Sequence, residues 1–161
     1  MDFNDIWICI SKYHNIYQYR TMNHDHITTQ EKPIVVVMGG SISGLLMAAL
    51  LGKHASVIIV EKDDEPSNDT FLLGRPGTAQ DQHLHILLEG GRLSIETLLP
   101  GFTGALIRNG ASVIDRAQDI SWFHSGVWKM RYDDGGKMFV QTRPLIDFTI
   151  RECLHKRFPD I

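Results

Sequence analysis

Residues 34–62 constrain the fold of this 161-residue chain more than any other stretch. The apolar, β-branched run Ile34–Met38 predicts a parallel strand that is buried on both faces. A turn of small residues follows, then an Ala/Leu-rich helical segment over 45–53 and a second buried strand over 57–60, which ends on Glu61. Strand, tight turn, helix, strand and acidic residue in this order are typical of a βαβ nucleotide-binding unit. The sequence therefore predicts an α/β fold of the Rossmann type.

The turn between the first strand and the helix predicts a site for a pyrophosphate. Free N–H groups and the positive end of the helix dipole stabilise an anion there if the backbone approaches it closely. Gly39 permits the tight turn and Gly44 lets the helix pack against the strand, while Ser41 takes a middle position that is usually glycine. Glu61 lies where a carboxylate accepts hydrogen bonds from a ribose diol. The alternative is a βαβ unit whose glycines serve only the turn.

Composition excludes several classes of partner. The chain is 43% apolar and 22% charged, as in a globular protein with one ordinary core. Its net charge of −3 gives no electrostatic case for nucleic acid or an anionic membrane. No apolar run reaches the about 18 residues of a membrane span, and the N-terminus lacks the basic region of a signal peptide. Cys9 and Cys153 have no metal-like spacing and indicate free thiols, so we expect a cytoplasmic protein.

Residues 1–31 do not match the rest of the chain. Tyrosines and histidines are scattered there among polar residues without a period, which predicts a loose N-terminal extension. A short amphipathic helix over 6–20, docked on the domain, is the alternative. Met22 is an alternative start, and we interpret the histidines as part of a solvated tail rather than as metal ligands.

Residues 74–85 form an irregular loop, because Gly and Pro recur in it. Its cation, Arg75, has a planar fork that suits a pyrophosphate, although a surface arginine is the alternative. His83 and His85 are too few for a zinc site and have no cysteine nearby, so we expect structural or flavin-proximal hydrogen bonding. A helix is predicted over 83–99, and a shorter one over 102–109.

The period changes over 111–141. Short β runs are predicted at 111–115, 120–124, 127–132 and 137–141, with Asp-Asp-Gly-Gly at 133–136 as a hairpin turn. Aromatic residues concentrate in this small antiparallel sheet, where they either wall a pocket for an apolar substrate or form the core of the sheet itself. Arg143 and Pro144 then open a final helix.

Three local signatures stand out when these pieces are set in a row. The first is Val-Val-Met-Gly-Gly-Ser-Ile-Ser-Gly-Leu followed by Val-Ile-Ile-Val-Glu-Lys. The second is Arg75-Pro-Gly-x-x-Gln80-x-x-His83-x-His85-x-Leu-Leu, with Leu-x-Pro-Gly-Phe ending at Phe102. The third is Thr142-Arg143-Pro-Leu. Together they resemble the N-terminal part of class A flavoprotein monooxygenases, the FAD-dependent aromatic hydroxylases and epoxidases with a glutathione-reductase-type FAD domain.

The resemblance implies roles for named residues. Glu61, flanked by Lys62, would bind the adenosine ribose of FAD, and Arg75 and Arg143 would approach its phosphates and flavin. The turn would hold the pyrophosphate through Gly39, Gly40, Ser41, Ile42, Ser43 and Gly44. NADPH or NADH would reduce the flavin, O₂ would form a flavin hydroperoxide, and oxygen would pass to a small apolar or aromatic substrate. The resemblance implies no catalytic protein nucleophile, no acid–base dyad and no metal.

The resemblance also implies that the domain is incomplete. Residues 32–161 would be the N-terminal portion of an FAD-binding domain, with 111–141 as the start of a substrate-side β-sheet. The third parallel strand and later motifs of the family would lie in a missing C-terminal half, so we expect the chain alone to be inactive. The alternative is a non-catalytic nucleotide-binding or interaction module derived from that family. A dehydrogenase domain fits the loop at 74–85 less well. The substrate, NADPH against NADH, hydroxylation against epoxidation and the oligomeric state stay open.

Overall fold

A computed structural model describes residues 32–65 and 70–161 and, for the backbone alone, residues 6–10. In chain order the elements are β1 (Ile6–Ile10), β2 (Ile34–Met38), α1 (Ile42–Leu51), β3 (Ser56–Val60), a 3-10 turn (Phe71–Leu73), β4 (Leu84–Leu87), α2 (Glu89–Leu98), α3 (Phe102–Arg108), β5 (Ser112–Asp115), β6 (Phe123–His124), β7 (Val127–Trp128), β8 (Lys137–Thr142) and α4 (Arg143–Arg157). Two compact units divide the chain, the first made of Met1–Glu65 with Ile150–Ile161 and the second of Pro66–Thr149. The predicted α/β class is confirmed as a mixed α/β fold.

The first unit contains a three-stranded parallel sheet in the order β1-β2-β3. Helix α1 connects β2 to β3 and packs against both strands. Its buried Leu45, Ala48 and Ala49 cover the sheet face that carries Val35 and Val37, and the small alanines allow close approach. The predicted strand at 34–38 is confirmed, and the helix begins three residues earlier than the predicted 45 because Ser41 already takes the extended N-cap position.

The opposite face of this sheet carries apolar side chains that remain about half exposed. These are Ile34, Met38, Ile58 and Val60, with exposed fractions between 48% and 50%. They alternate along the strands with the buried set, as the two-residue period of a strand requires. The sheet of the first unit is therefore apolar on both faces but well covered on one.

Strand β1 departs from the predicted loose extension. Residues 6–10 pair in parallel with β2, and Ile8 lies opposite Val36. The run Ile-Trp-Ile-Cys-Ile is apolar and rich in β-branched isoleucine, which is a local strand signal. Its pairing partner lies more than twenty residues away, and the polar, aperiodic residues around the run favour an extension instead. The alternative prediction of a short amphipathic helix over 6–20 is wrong for residues 6–10, which form a strand. The other residues of 1–31, Met22 included, lie outside the described residues.

The second unit is built on an antiparallel sheet in the order β4-β8-β5. Helices α2 and α3 pack together and bury Leu99, Phe102 and Leu106 almost completely. The helix predicted over 83–99 is wrong in its first part, since 84–87 form β4, which pairs with β8. A run as short as Leu-His-Ile-Leu does not distinguish helix from strand, and here the distant partner decides.

The rest of the predicted sheet over 111–141 differs in its middle. Strands β5 and β8 are confirmed within one residue at each end. The strands predicted at 120–124 and 127–132 are shorter in the structure, where β6 and β7 have two residues each and form a hairpin. Its turn is Ser125-Gly126, both with positive φ (53° and 79°), as a type I′ turn requires. The hairpin predicted at 133–136 is not formed, because β7 and β8 belong to different sheets. Asp133 and Asp134 instead accept the N–H of the residue two positions on, which makes a local turn.

The aromatic residues of this region are largely exposed. Trp122, Phe123, Trp128 and Tyr132 each expose more than half of their surface, between 53% and 68%. Phe123 and Trp128 contact each other with ring centroids 5.1 Å apart. The interpretation that these aromatics form the core of the sheet itself is therefore wrong.

Two further findings concern the described part of the chain as a whole. Every helix there is too short or too polar to cross a lipid bilayer. Helix α4 contributes residues 143–149 to the second unit and 150–157 to the first. Ile150 and Leu154 of its second half are fully buried.

A candidate dinucleotide-binding turn

The turn between β2 and α1 requires glycine at two positions. Gly39 has φ of +103°, a conformation that costs other residues free energy, and its N–H donates to the carbonyl of Val60 at 2.7 Å. A Cβ on Gly44 would lie 2.9 Å from the carbonyl carbon of Gly39 and would overlap its oxygen. Both glycines therefore have the structural roles that the sequence predicts, a tight turn and close packing of the helix.

The N-terminal end of α1 presents backbone donors. Ser41 takes the N-cap position with extended backbone and makes no side-chain capping bond. The first intrahelical bond runs from Leu45 N–H to the Ser41 carbonyl at 2.9 Å, so the N–H groups of Ile42, Ser43 and Gly44 have no intrahelical acceptor. No acidic residue occupies the first turn of the helix. This end of α1 is electrostatically suited to an anion.

Glu61 lies directly against the turn. Its Oε2 accepts the N–H of Gly40 at 2.8 Å, and its Oε1 accepts the N–H of Lys62 at 2.7 Å and of Asp63 at 3.2 Å. Backbone donors thus fix the orientation of the carboxylate at the end of β3. The side chain of Lys62 is 72% exposed and pairs with Asp63. The structure therefore brings Glu61 and the glycine-rich turn together, as the sequence predicts.

Arg75, in the second unit, is buried. Its Nη2 pairs with Oδ2 of Asp147 on α4 at 2.6 Å, and the two side chains expose only 6% and 7% of their surfaces. Its backbone N–H donates to Oδ2 of Asp81 at 2.7 Å, while Gly74, with φ of +75°, packs against the same aspartate. The interpretation of Arg75 as a surface arginine is wrong. Its charge is compensated by a carboxylate within its own unit.

Arg143, also in the second unit, contacts the predicted loop over 74–85, whose last two residues, 84 and 85, belong to β4. Its Nη1 donates to Oε1 of Gln80 at 3.1 Å, and Nε2 of His85 lies 3.4 Å from the same oxygen. Residues of the second and third signatures therefore form one polar cluster, and His85 makes a structural hydrogen bond. In the described part of the chain, no three His, Cys, Asp or Glu side chains gather in a way that would hold a metal ion.

Sequence reasoning missed Arg151. Its Nη2 donates to the carbonyl of Gly40 at 2.6 Å, its Nε lies 3.8 Å from Oε1 of Glu65, and it is 9% exposed. A single cation on a helix usually indicates a solvated face. The available signal was its position one residue after Ile150 and three before Leu154, inside the buried stripe of α4.

The fold and the described contacts together are those of a mixed α/β protein with a glycine-rich turn at the N-terminus of a helix. No protein-family model matches the chain. Protein Rv3254 of Mycobacterium tuberculosis is 30% identical over 89 residues, which are 55% of this chain and 18% of that protein. The chain thus spans less than a fifth of this relative, whose name states no activity.

Proposed function

We propose that the chain is the N-terminal portion of an FAD-dependent oxidoreductase with a Rossmann-like FAD-binding domain. The proposed activity is that of a monooxygenase, either a hydroxylase or an epoxidase, that uses NADPH or NADH and O₂. The observation that carries the proposal is the 2.8 Å hydrogen bond from Gly40 N–H to Glu61. It puts an acceptor suited to a ribose diol beside backbone donors suited to a pyrophosphate.

The pyrophosphate is proposed to lie at the N-terminus of α1. Gly39 adopts the positive φ that the tight turn requires, and Gly44 lets α1 pack directly against this turn, so that the helix N-terminus lies at the end of β2. The N–H groups of Ile42, Ser43 and Gly44 have no intrahelical acceptor and suit phosphate oxygens. The proposed roles of Gly40 and Ser41 are to complete this turn.

The adenosine ribose is proposed to bind Glu61. A carboxylate offers about four acceptor positions, so accepting backbone N–H groups does not prevent it from also accepting from a diol. Lys62, whose side chain is exposed, would flank the ribose. When FAD is bound it supplies the redox chemistry, and the residues of this chain bind and orient it.

The roles of Arg75 and Arg143 at the phosphates and flavin rest on the resemblance alone. The ion pair with Asp147 compensates the charge of Arg75, which weakens its attraction for a phosphate. Arg143 is the better candidate of the two. A substrate-side sheet over 111–141 is supported by the exposed aromatic side chains there. Aromatic side chains that are not buried in a core are accessible to line a substrate pocket.

A second candidate is a non-catalytic nucleotide-binding or interaction module. It is favoured by the first unit, where the described contacts of the turn suit the ADP half of a dinucleotide, a half that nucleotides without a flavin also offer. The two candidates share nucleotide binding and differ in turnover with NADPH or NADH and O₂.

The test is a titration of the purified chain with FAD, followed by flavin fluorescence. We expect saturable binding that ADP displaces and riboflavin does not, because the proposed contacts are to the pyrophosphate and the adenosine ribose. Glu61→Gln should weaken FAD binding about tenfold, as expected when a charged hydrogen-bond acceptor is lost. Asp64→Asn is the matched control, because Asp64 is an exposed acid three residues further on. Absence of FAD and ADP binding, with the chain folded by circular dichroism, would contradict the proposal.

A further inference from the structure

Gly40 is held at both of its backbone polar atoms by charged side chains. Its N–H donates to Glu61 at 2.8 Å, and its carbonyl accepts from Arg151 at 2.6 Å. Glu61 follows β3 and Arg151 lies on α4. Two separate parts of the first unit therefore form hydrogen bonds with the same glycine. Gly40 itself is buried.

Because a peptide group is planar, the contact of Arg151 with the Gly40 carbonyl also affects the N–H of Ser41. The carbonyl of Gly40 and the N–H of Ser41 belong to one planar trans peptide and point in opposite directions. A guanidinium that fixes the Gly40 carbonyl therefore also fixes the direction of the Ser41 N–H. Gly39 and Gly40 have no Cβ and adopt many backbone conformations, so the peptide planes of the turn need an external constraint.

We infer that Arg151 is a positioning residue for the proposed dinucleotide site: by holding the Gly40 carbonyl it keeps the donors of the turn aimed at the pyrophosphate. The inference rests on the proposed function. Arginine suits the role because its guanidinium carries five donors in a rigid fork, so that one nitrogen bonds the carbonyl while Nε faces Glu65 at 3.8 Å. Lysine would keep the charge but would not reproduce the fork.

The first experiment measures hydrogen exchange of the Gly39 and Gly40 amides, which donate to Val60 and Glu61, in the full chain without ligand. Arg151→Met should speed exchange in the turn about tenfold, the factor expected when a charged hydrogen bond is lost, while the second half of α1 is unchanged. Arg151→Lys should resemble Arg151→Met. Lys156→Met, an exposed cation on the same helix, is the control and should exchange as the wild type does. Unchanged exchange in Arg151→Met would overturn the inference whether or not the chain binds FAD.

The second experiment compares the affinities for ADP and for adenosine, which lacks the pyrophosphate. Arg151→Met and Arg151→Lys should weaken ADP about tenfold and leave adenosine nearly unaffected, since only the phosphate contacts depend on the orientation of the turn. Equal losses for both ligands would indicate general destabilisation and overturn the inference. So would wild-type affinity of Arg151→Lys for ADP, since the fixed geometry of the guanidinium would then be unnecessary. If the wild type binds neither ligand, the proposed function fails, and the exchange measurement still decides the role of Arg151.

Discussion

Replacing Gly44 by alanine is the sharpest test of the close packing at the turn. An alanine Cβ would lie 2.9 Å from the carbonyl carbon of Gly39, overlap its oxygen and come within 3.4 Å of a methyl group of Val37. The main obstacle is backbone, which cannot rotate aside as a flexible side chain would. Relief requires α1 to move away from β2, and this movement puts the Gly39–Val60 and Gly40–Glu61 hydrogen bonds at risk.

The expected loss in free energy of unfolding for Gly44→Ala combines the cost of overpacking, the lost hydrogen bonds and the gain in helix propensity. Overpacking costs about 1–3 kcal/mol, and each hydrogen bond lost costs about 1 kcal/mol. Alanine returns about 0.5–1 kcal/mol because it is a better helix former than glycine. The net loss in free energy of unfolding should be about 3 kcal/mol.

Urea denaturation followed by circular dichroism measures this loss. With slopes of about 1–3 kcal/mol per molar urea, a loss of about 3 kcal/mol lowers the midpoint by about 1–3 M. Gly90→Ala is the matched control: Gly90 lies in the first turn of α2, and a Cβ there would meet nothing within 4 Å. This control should keep or slightly raise the free energy of unfolding, because the advantage of alanine over glycine, about 0.5–1 kcal/mol, applies in full only in a helix interior. An unchanged midpoint for Gly44→Ala would refute the argument from packing.

Two further predictions concern the second unit. Glu96 accepts hydrogen bonds from the N–H of Gly101 at 2.6 Å and from the N–H and hydroxyl of Thr103, both at 2.7 Å. Burial raises the pKa of Glu96, but these hydrogen bonds outweigh it and leave the pKa below its usual value. Glu96→Gln should therefore cost about 1–3 kcal/mol at neutral pH. A lowered pKa stabilises the folded state above the unfolded-state pKa, so the difference from wild type should shrink as the pH falls through the folded-state pKa; a pH-independent difference would contradict this. Arg75→Met should cost about 3 kcal/mol, because it leaves Asp147 buried without its ion-pair partner. The double variant Arg75→Met/Asp147→Leu should be more stable in urea than Arg75→Met, and a double variant that is the less stable of the two would rule out this reasoning.

The turn and its two strands are predictable from sequence because all their signals are local and agree. The β-branched runs, the glycines and Glu61 lie within 29 consecutive residues, 34–62, and each predicts the same unit. The contact between Glu61 and Gly40 then follows from the parallel pairing of β2 with β3, which brings the ends of both strands to one edge.

Elements that depend on distant partners are not predictable in this way. The paired residues of β4 and β8 are 52 to 58 positions apart in the sequence, and β1 pairs with β2 across a long intervening stretch. Ser125-Gly126 forms the hairpin turn although Asp-Asp-Gly-Gly has the stronger local signal, because the pairing of Phe123 with Trp128 decides the register. Arg151 was missed for a related reason, since its acceptor is a backbone carbonyl 111 residues away and no residue type marks it.

The half-exposed apolar face of the parallel sheet affects how the chain behaves during biosynthesis. Parallel strands pair only after intervening chain has emerged, so an apolar face of this kind is exposed for a long time while the sheet assembles. Ile34, Met38, Ile58 and Val60 stay about half exposed even when the sheet is formed. Such surfaces are the ones that chaperones bind and that seed aggregates when chaperones are scarce. Co-expression of chaperones should therefore raise the yield of chain that is not aggregated.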